Sequence, residues 1–391
     1  VRIAHLADQH LGFRQFHRQT PAGINQREHD VANAFRLAVD GVVAARPDAV
    51  LLAGDLFHAV RPSNAAIIFA FRQLQRLRER LPNAPVVLIA GNHDTPRSSE
   101  SGSILRLYEE LGVDVAYADA RQFVYPALDL RVLAVPHAAI RAPERPALRP
   151  EGPERHRVLL LHGEVEGVYP MEISGAAWGG AMLARDEVRA EEWSYVALGH
   201  YHVQYQVEPR MWYAGALEYV SPNPWGELRD EERKGVAGKG WLLVDLATGT
   251  VTPQLVAPAR RVIDLPPLHG EGATAADLDR LIQERLGSIA GGHADQVVRQ
   301  LVFNVPREVA RSLDHAAIRA AKAAALHYHL DLRRPDAGRG TGIDAGGRRL
   351  PLPEVLRDFL TRRPLPAELD REAFVLAGTQ LLDTVIREEA G

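Results

Sequence analysis

Six short apolar runs, at residues 1–6, 49–53, 86–90, 130–135, 158–161 and 195–198, constrain this chain more than any other feature. Each is rich in β-branched and aliphatic residues and almost continuously hydrophobic, the pattern of strands covered on both faces. Between the first two runs lies a helical period with Val31, Phe35, Ala38 and Val42 on one side. Between the next two the same period sets Ile67, Phe71, Leu74, Leu77 and Leu81 together. Strand alternating with helix predicts an α/β layered core.

The texture changes near Val256. Residues 261–265, 274–286, 297–305, 312–326 and 327–332 read as strand, helix, strand, helix, strand, the order of a small α+β module. Residues 333–349 are dominated by Gly, Asp, Pro and Arg, too little apolar surface to pack. Two amphipathic helices follow, one with Val355, Leu356, Phe359 and Leu360 in its stripe, the other with Phe374, Leu381, Leu382 and Val385. The expected organisation is therefore a first domain at 1–256, an α+β module at 257–332, a flexible linker at 333–349 and a helical tail at 350–391. The tail's stripes, standing beyond a connector that cannot pack, are expected to dock on another protein chain.

Composition excludes several classes. No apolar stretch approaches the roughly 20 residues that span a bilayer, and the opening Val1-Arg2-Ile3 lacks the layout of a signal peptide, so cytoplasmic residence is expected, without membrane partners. The chain has no cysteine, which leaves histidine, carboxylate and amide as the only metal ligands. Its formal net charge of -4 means that any nucleic-acid surface must be local rather than general.

The residues at the ends of the apolar runs carry the chemistry. Asp8 and His10 come after the first, Asp55 after the second, Asn92 and His93 after the third, His162 after the fifth, and His200 and His202 after the sixth. Ligands in open α/β folds gather beyond the carboxyl ends of strands, so five segments converge on one crevice. Asp8, His10, Asp55, Asn92, His162, His200 and His202 are metal-competent, and oxygen-rich mixed ligation suits two ions of Mn²⁺, Fe²⁺ or Zn²⁺. Two such ions, ~3.5 to 4 Å apart, neutralise both the attacking and the leaving oxygens of a phosphate ester. Glycines precede Asp55, Asn92 and His200, where a residue without Cβ lets the chain turn sharply.

The series Asp8-Gln9-His10, Gly54-Asp55, Gly91-Asn92-His93-Asp94, His162 and Gly199-His200-Tyr201-His202 resembles the signature of the calcineurin-like metallophosphoesterases over roughly residues 1–246. Longer phrases resemble the double-strand-break repair nucleases of the SbcD and meiotic-recombination type. These are His5-Leu6-Ala7-Asp8-Gln9-His10-Leu11-Gly12, Gly54-Asp55-Leu56-Phe57-His58 with Arg61-Pro62-Ser63, Ala197-Leu198-Gly199-His200-Tyr201-His202 and Tyr213-Ala214-Gly215-Ala216-Leu217-Glu218. The resemblance implies a four-layer sandwich of two sheets flanked by helices, a small α+β DNA-capping domain and a tail that grips an SMC-like coiled-coil ATPase, SbcC in bacteria.

It further implies that Asp8, His10, Asp55 and His202 bind one Mn²⁺ and that Asp55, Asn92, His162 and His200 bind the other, with Mg²⁺, Fe²⁺ or Zn²⁺ as substitutes. Asp55 bridges. His93 is then the general acid, held by Asp94, and His58 steers the scissile phosphate. Arg14, His17 and Arg61 are candidates for DNA contact. The implied function is an Mn²⁺-dependent 3'-5' exonuclease and single-strand endonuclease that processes DNA ends as a homodimer near the nucleoid. The chain departs from the pattern at 213–218, where Pro-Gly-Ser is usual, in its long loop at 13–28 and in the stretch 171–180. Two alternatives share parts of the reading: a metallophosphatase or nucleotide phosphodiesterase, and a non-catalytic subunit that tethers DNA ends. Phosphoprotein phosphatases of this superfamily usually carry Asp-Arg-Gly and Gly-Asn-His-Glu boxes, whereas this chain has Phe57-His58 and Asp94.

Overall fold

Side chains alternate across a strand, so a continuously apolar run is buried only if something covers each face. A computed structural model, describing residues 1–96, 102–168, 182–335, 352–363 and 370–389, shows the covering. In chain order the strands are β1 (Arg2–Leu6), β2 (Ala49–Leu52), β3 (Val86–Ile89), β4 (Asp114–Ala116), β5 (Arg121–Tyr125), β6 (Leu130–Val135), β7 (His156–His162), β8 (Glu164–Val165), β9 (Met182–Leu183), β10 (Tyr195–Gly199), β11 (Tyr205–Glu208), β12 (Met211–Tyr213), β13 (Gly240–Asp245) and β14 (Thr250–Leu255). The helices among them are α1 (Gln26–Ala45), α2 (Asn64–Arg80), α3 (His137–Arg141), α4 (Arg185–Val188) and α5 (Pro224–Lys234).

One six-stranded sheet has the order β14-β13-β1-β2-β3-β4 and the other β11-β12-β10-β7-β6-β5. Ile3, Ala49, Leu51, Val87 and Ile89 of the first meet Leu130, Val132, Val158, Leu160, Tyr195 and Ala197 of the second in one buried layer. The alternate residues Ala4, Leu6, Val50, Leu52, Val86 and Leu88 pack on Val31, Phe35, Ala38, Val42, Leu74 and Leu77 of α1 and α2. On the far side of the second sheet Leu159, Leu161, Val196 and Leu198 pack against Ile140, Val188 and Trp193. The expected four layers are therefore present, the described helices on the outer flank of the second sheet, α3 and α4, being short.

Local chemistry starts the helices where the sequence suggests. Asn25 accepts from the amides of Arg27 and Glu28 at the head of α1, and Ser63 accepts from that of Ala66 at the head of α2; caps of this kind contribute about 1 kcal/mol each. The six anticipated strands appear within two residues of their expected ends. Most of the others were not anticipated because they are edge or half-exposed strands with no continuous apolar run: β5 is exposed at alternate positions, and β14 is largely exposed and carries Pro253.

The chain forms two compact units, one of residues 1–265, 288–299 and 316–329, the other of 266–287, 300–315 and 330–391. Strands β15 (Val262–His269), β16 (Val297–Phe303) and β17 (His327–Leu332) form a three-stranded sheet in that order. Helix α6 (Ala275–Gly287) lies where expected and the helix expected at 312–326 is α8 (His315–Ala324), while a short helix α7 (Arg307–Arg311), closed by Ser312, precedes it and was not anticipated. Helices α9 (Leu352–Arg362) and α10 (Arg371–Glu389) form the tail. The expected linker falls largely outside the described residues, as do the stretch 171–180 and the side chain of Val385.

Candidate metal centre

Every predicted ligand sits at or just beyond the carboxyl end of β1, β2, β3, β7 or β10, all within the first unit. Parallel pairing sets β10 beside β7 with Gly199 opposite His162, and β1 beside β2 with Leu6 opposite Leu52. The strands thereby deliver their trailing residues to one rim. There the backbone leaves ordinary territory: Asp8, His10 and Asp55 have φ of 53°, 46° and 52°, and His200 has 116°. Such conformations cost roughly 1–3 kcal/mol each and persist only where the surroundings over-determine them. Here they do: the Asp8 amide donates to the Gly54 carbonyl at 3.0 Å, the His10 amide to that of Asp55 at 2.9 Å, and the His200 amide to both Asp8 oxygens at 3.0 and 3.1 Å.

The three glycines serve two purposes. Gly54 has φ +88°, the turn the sequence suggested. At Gly91 and Gly199 the demand is closeness instead: a Cβ on Gly91 would collide with the Asp55 carboxylate, and one on Gly199 with the Ala53 carbonyl.

The side chains meet through acceptor atoms. His162 donates Nδ1–H to the Ala53 carbonyl at 2.8 Å, so its Nε2 turns a lone pair toward Asn92 Oδ1 at 3.0 Å and Asp55 Oδ2 at 3.5 Å. His200 places Nε2 3.3 Å from Glu164 Oε1, which can only accept, and so turns its Nδ1 lone pair toward the same Asn92 oxygen at 3.1 Å. His202 donates Nδ1–H to Glu227 at 3.3 Å, leaving its Nε2 3.2 Å from His10 Nε2, which is itself 3.6 Å from Asp55 Oδ2. Acceptors facing acceptors in a buried site repel one another unless a cation stands among them. The donor set is borderline-hard, imidazole with carboxylate and amide oxygen, which fits divalent transition metals. Three groups among the described residues, Asp8 with His10 and His202, Asp8 with Asp55 and His162, and His10 with His58 and His93, bring their ligand atoms within 4.8 Å of one another.

The electrostatics agree. Burial, together with the Asp55 charge, raises the Asp8 carboxyl well above its ordinary range, and burial raises Asp55 against the pull of His93. Burial and neighbouring imidazoles hold His10 and His162 well below theirs. By itself the protein disfavours charge at this rim, and a dication would reverse that preference.

His93 and His58, expected as acid and phosphate guide, both pack against His10, with ring centroids 4.8 and 5.3 Å from it. His93 donates Nδ1–H to the His58 carbonyl at 2.7 Å, and the two rings stack at 5.1 Å. His58 Nδ1 lies 3.3 Å from His10 Nδ1, and burial with His93 and His202 nearby lowers it to about 4. The expectation that Asp94 holds the His93 ring is corrected. Its oxygens accept from the amides of Leu56, Phe57 and Gly91 at 3.0 to 3.2 Å. Asp94 thus ties the turn after β2 to the turn after β3, and a backbone carbonyl orients His93. Burial and the Asp55 charge push Asp94 up to about 7 against those amides.

Of the expected DNA contacts, Arg14 is ion-paired with Glu28 at 2.7 Å, and His17 and Arg61 are exposed. Sequence reasoning missed Glu164 and Glu227. Glu164 could have been noticed two residues after His162; Glu227 gave no signal, standing in a charged stretch that reads as a solvated helix face.

The chain matches the family described as calcineurin-like phosphoesterase over residues 1–204, more than half of its 391 residues, and it belongs to that family. Within it, the chain is similar to the DNA double-strand break repair protein Mre11 of Sulfurisphaera tokodaii, 29% identical over 66% of this chain and 62% of that protein. It is likewise similar to those of Saccharolobus solfataricus, 27% identical over 63% of this chain and 61% of the relative, and Methanocaldococcus jannaschii, 25% identical over 63% of each. The chain thus spans 61 to 63% of the length of these relatives. A solved structure, TT1561 of Thermus thermophilus, aligns with a TM-score of 0.36 at 12% identity over 66% of this chain and 99% of that one, a likeness that carries no argument. No helix among the described residues is long and apolar enough to cross a membrane.

Proposed function

We propose that this chain is a two-metal phosphodiesterase that cuts DNA, an Mn²⁺-dependent exonuclease and single-strand endonuclease acting on DNA ends. The observation that carries the metal-dependent chemistry is the meeting of His162 Nε2, His200 Nδ1 and Asn92 Oδ1 as three acceptors around one point, with Asp55 Oδ2 close by. DNA as substrate is supported by the name of the relatives, DNA double-strand break repair protein. In this reading Asp8, His10, Asp55 and His202 hold one ion, Asp55, Asn92, His162 and His200 the other, and Asp55 is shared. Bound divalent ions supply Lewis acidity toward the phosphate and a nucleophile at neutral pH.

The remaining work falls to the protein. With Nδ1–H engaged by the His58 carbonyl, His93 offers Nε2, and a second proton held there protonates the leaving sugar oxygen. His58, neutral at pH 7, lies against both His93 and His10 and steers the phosphate rather than ligating it. Asp94 fixes the two turns that carry Asp55 and Asn92. Arg14, His17 and Arg61 are proposed to touch DNA, residues 257–332 to cap it, and residues 350–391 to engage a coiled-coil ATPase, with the chain acting as a homodimer in the cytoplasm.

The test is a side-by-side incubation with Mn²⁺ and labelled DNA, phosphopeptide or nucleotide ester, using wild type and Asp55→Asn. Cleavage of DNA alone, abolished in the variant together with much of its bound metal, is the expected result. Preferential hydrolysis of the phosphopeptide or nucleotide ester would replace the nuclease reading with a phosphatase. An Asp55→Asn protein that keeps most of its activity at saturating Mn²⁺ would remove the two-metal assignment.

A further inference from the structure

Two of the proposed ligand imidazoles are gripped from behind by carboxylates that lie outside the proposed ligand set. Glu164, at the start of β8, is 1% exposed and places Oε1 3.3 Å from His200 Nε2. Its other oxygen, Oε2, is buried without a hydrogen-bond partner. Glu227, in the first turn of α5, is 7% exposed and holds His202 by Nδ1 at 3.3 Å. The same Oε1 accepts from the Ser221 amide at 2.8 Å, and Oε2 takes the ammonium of Lys239, 2.5 Å away and 3% exposed. Lys239 also donates to the His202 backbone carbonyl at 2.8 Å and lies 3.1 Å from Glu231. One ion pair therefore clasps both the ring and the main chain of His202.

A ring that turns one nitrogen to a metal must be protonated on the other, and what accepts that proton fixes the tautomer and the ring plane. The two histidines use opposite nitrogens. His200 is held by Nε2 and offers Nδ1 to Asn92, whereas His202 is held by Nδ1 and offers Nε2 to His10. Left alone, an imidazole populates both tautomers, and for either histidine the wrong one directs an N–H at the ion. Resting on the proposed two-metal centre, we propose that Glu164 and Glu227 are positioning residues, each selecting the tautomer of one ligand histidine and thereby setting the affinity of one of the two metal positions. Glu227 serves the position that His202 shares with Asp8 and His10, and Glu164 the one that His200 shares with Asn92 and His162.

The consequence is divisible, which a purely structural role is not. Stepwise Mn²⁺ binding to the full-length protein is followed by calorimetry, with electron paramagnetic resonance to distinguish single ions from spin-coupled pairs. Glu227→Gln should weaken one of the two binding steps by the 10- to 100-fold typical of outer-shell partners and leave the other unchanged. Glu164→Gln should weaken the complementary step. Each variant then shows an uncoupled Mn²⁺ signal at concentrations where wild type shows the coupled pair. Should either amide fail to fold, as judged by circular dichroism, Glu227→Asp and Glu164→Asp keep the charge, shorten the reach and should give the same selectivity with a smaller loss. In a His202→Ala background, replacing Glu227 should have no further effect on metal affinity.

Wild type that binds two ions, with variants whose steps are unaltered or weakened equally, would overturn the positioning role and leave the metal centre standing. Wild type that takes up no Mn²⁺ would overturn the metal centre itself and the positioning role with it.

Discussion

At the scale of single residues the centre depends on which atom of each ring is already committed. His93 has one nitrogen committed, to the His58 carbonyl at 2.7 Å, and that bond survives only if the side chain keeps a donor at that place. His93→Gln keeps a side-chain amide N–H but cannot hand a proton to a leaving oxygen. Metal content by elemental analysis and DNA affinity should stay near wild type, while cleavage slows by the ~10² to 10⁴ of a lost general acid. If the variant instead loses metal, His93 is a ligand and the acid must be sought elsewhere. All seven proposed ligands could be read from the chain because each follows a recognisable strand. Glu227 could not be read, since its partner His202 meets it only through tertiary packing. Asp94 was read for its neighbour in sequence, but its carboxylate is used by amides from another strand's turn.

At the scale of elements, what was legible is what buries both faces. Strands β1, β2, β3, β6, β7 and β10 announce themselves by continuous apolar runs, whereas β5 and β14 alternate or are mostly exposed. The tail belongs here as well. Leu352, Phe359, Leu376 and Leu381 are each more than half exposed, although α9 and α10 already pack together, with Leu360 close against Gly378. Apolar side chains left outside a helix pair await a partner or simply lie in solvent. Deleting residues 350–391 should leave Mn²⁺-dependent cleavage close to intact, because every proposed ligand lies in β1 to β10 or directly after them. It should also abolish binding to a coiled-coil ATPase. A truncated protein that aggregates or melts far below wild type would assign the helices to the core instead.

At the scale of the molecule, stability is shared between two sheets whose buried faces meet. His5, fully buried in that layer, bonds through Nδ1 to the Tyr195 hydroxyl of the opposite sheet at 2.9 Å, and burial lowers it to about 3. Its folded pKa lies below its unfolded value near 6.5, so the unfolded chain takes up the proton first. The stabilisation is whole above pH 6.5 and declines as pH falls toward 3, by about 1.4 kcal/mol per pH unit. Asp94, pushed up to about 7, works in the opposite sense between pH 7 and its unfolded value, and the shifted groups of the metal centre add contributions of both signs. Comparison with His5→Asn isolates one contribution. Urea unfolding of the metal-free proteins should show wild type more stable at pH 7, with its lead shrinking by about 2 kcal/mol between pH 6.5 and 5. A constant lead would mean that His5 is protonated in the folded state.

The donors of the centre come from the ends of β1, β2 and β3 in one sheet and of β7 and β10 in the other. A chain growing from its amino end acquires Asp8, His10, Asp55 and Asn92 early, and His200 and His202 only after β10, when β11 to β14 are still to come. No nascent or prematurely terminated product that stops short of β10 owns the full set of ligands. A centre assembled in this way stays incomplete until synthesis has passed β10 and the ends of strands from both sheets have come together, so a half-made copy carries the proposed chemistry in no usable form.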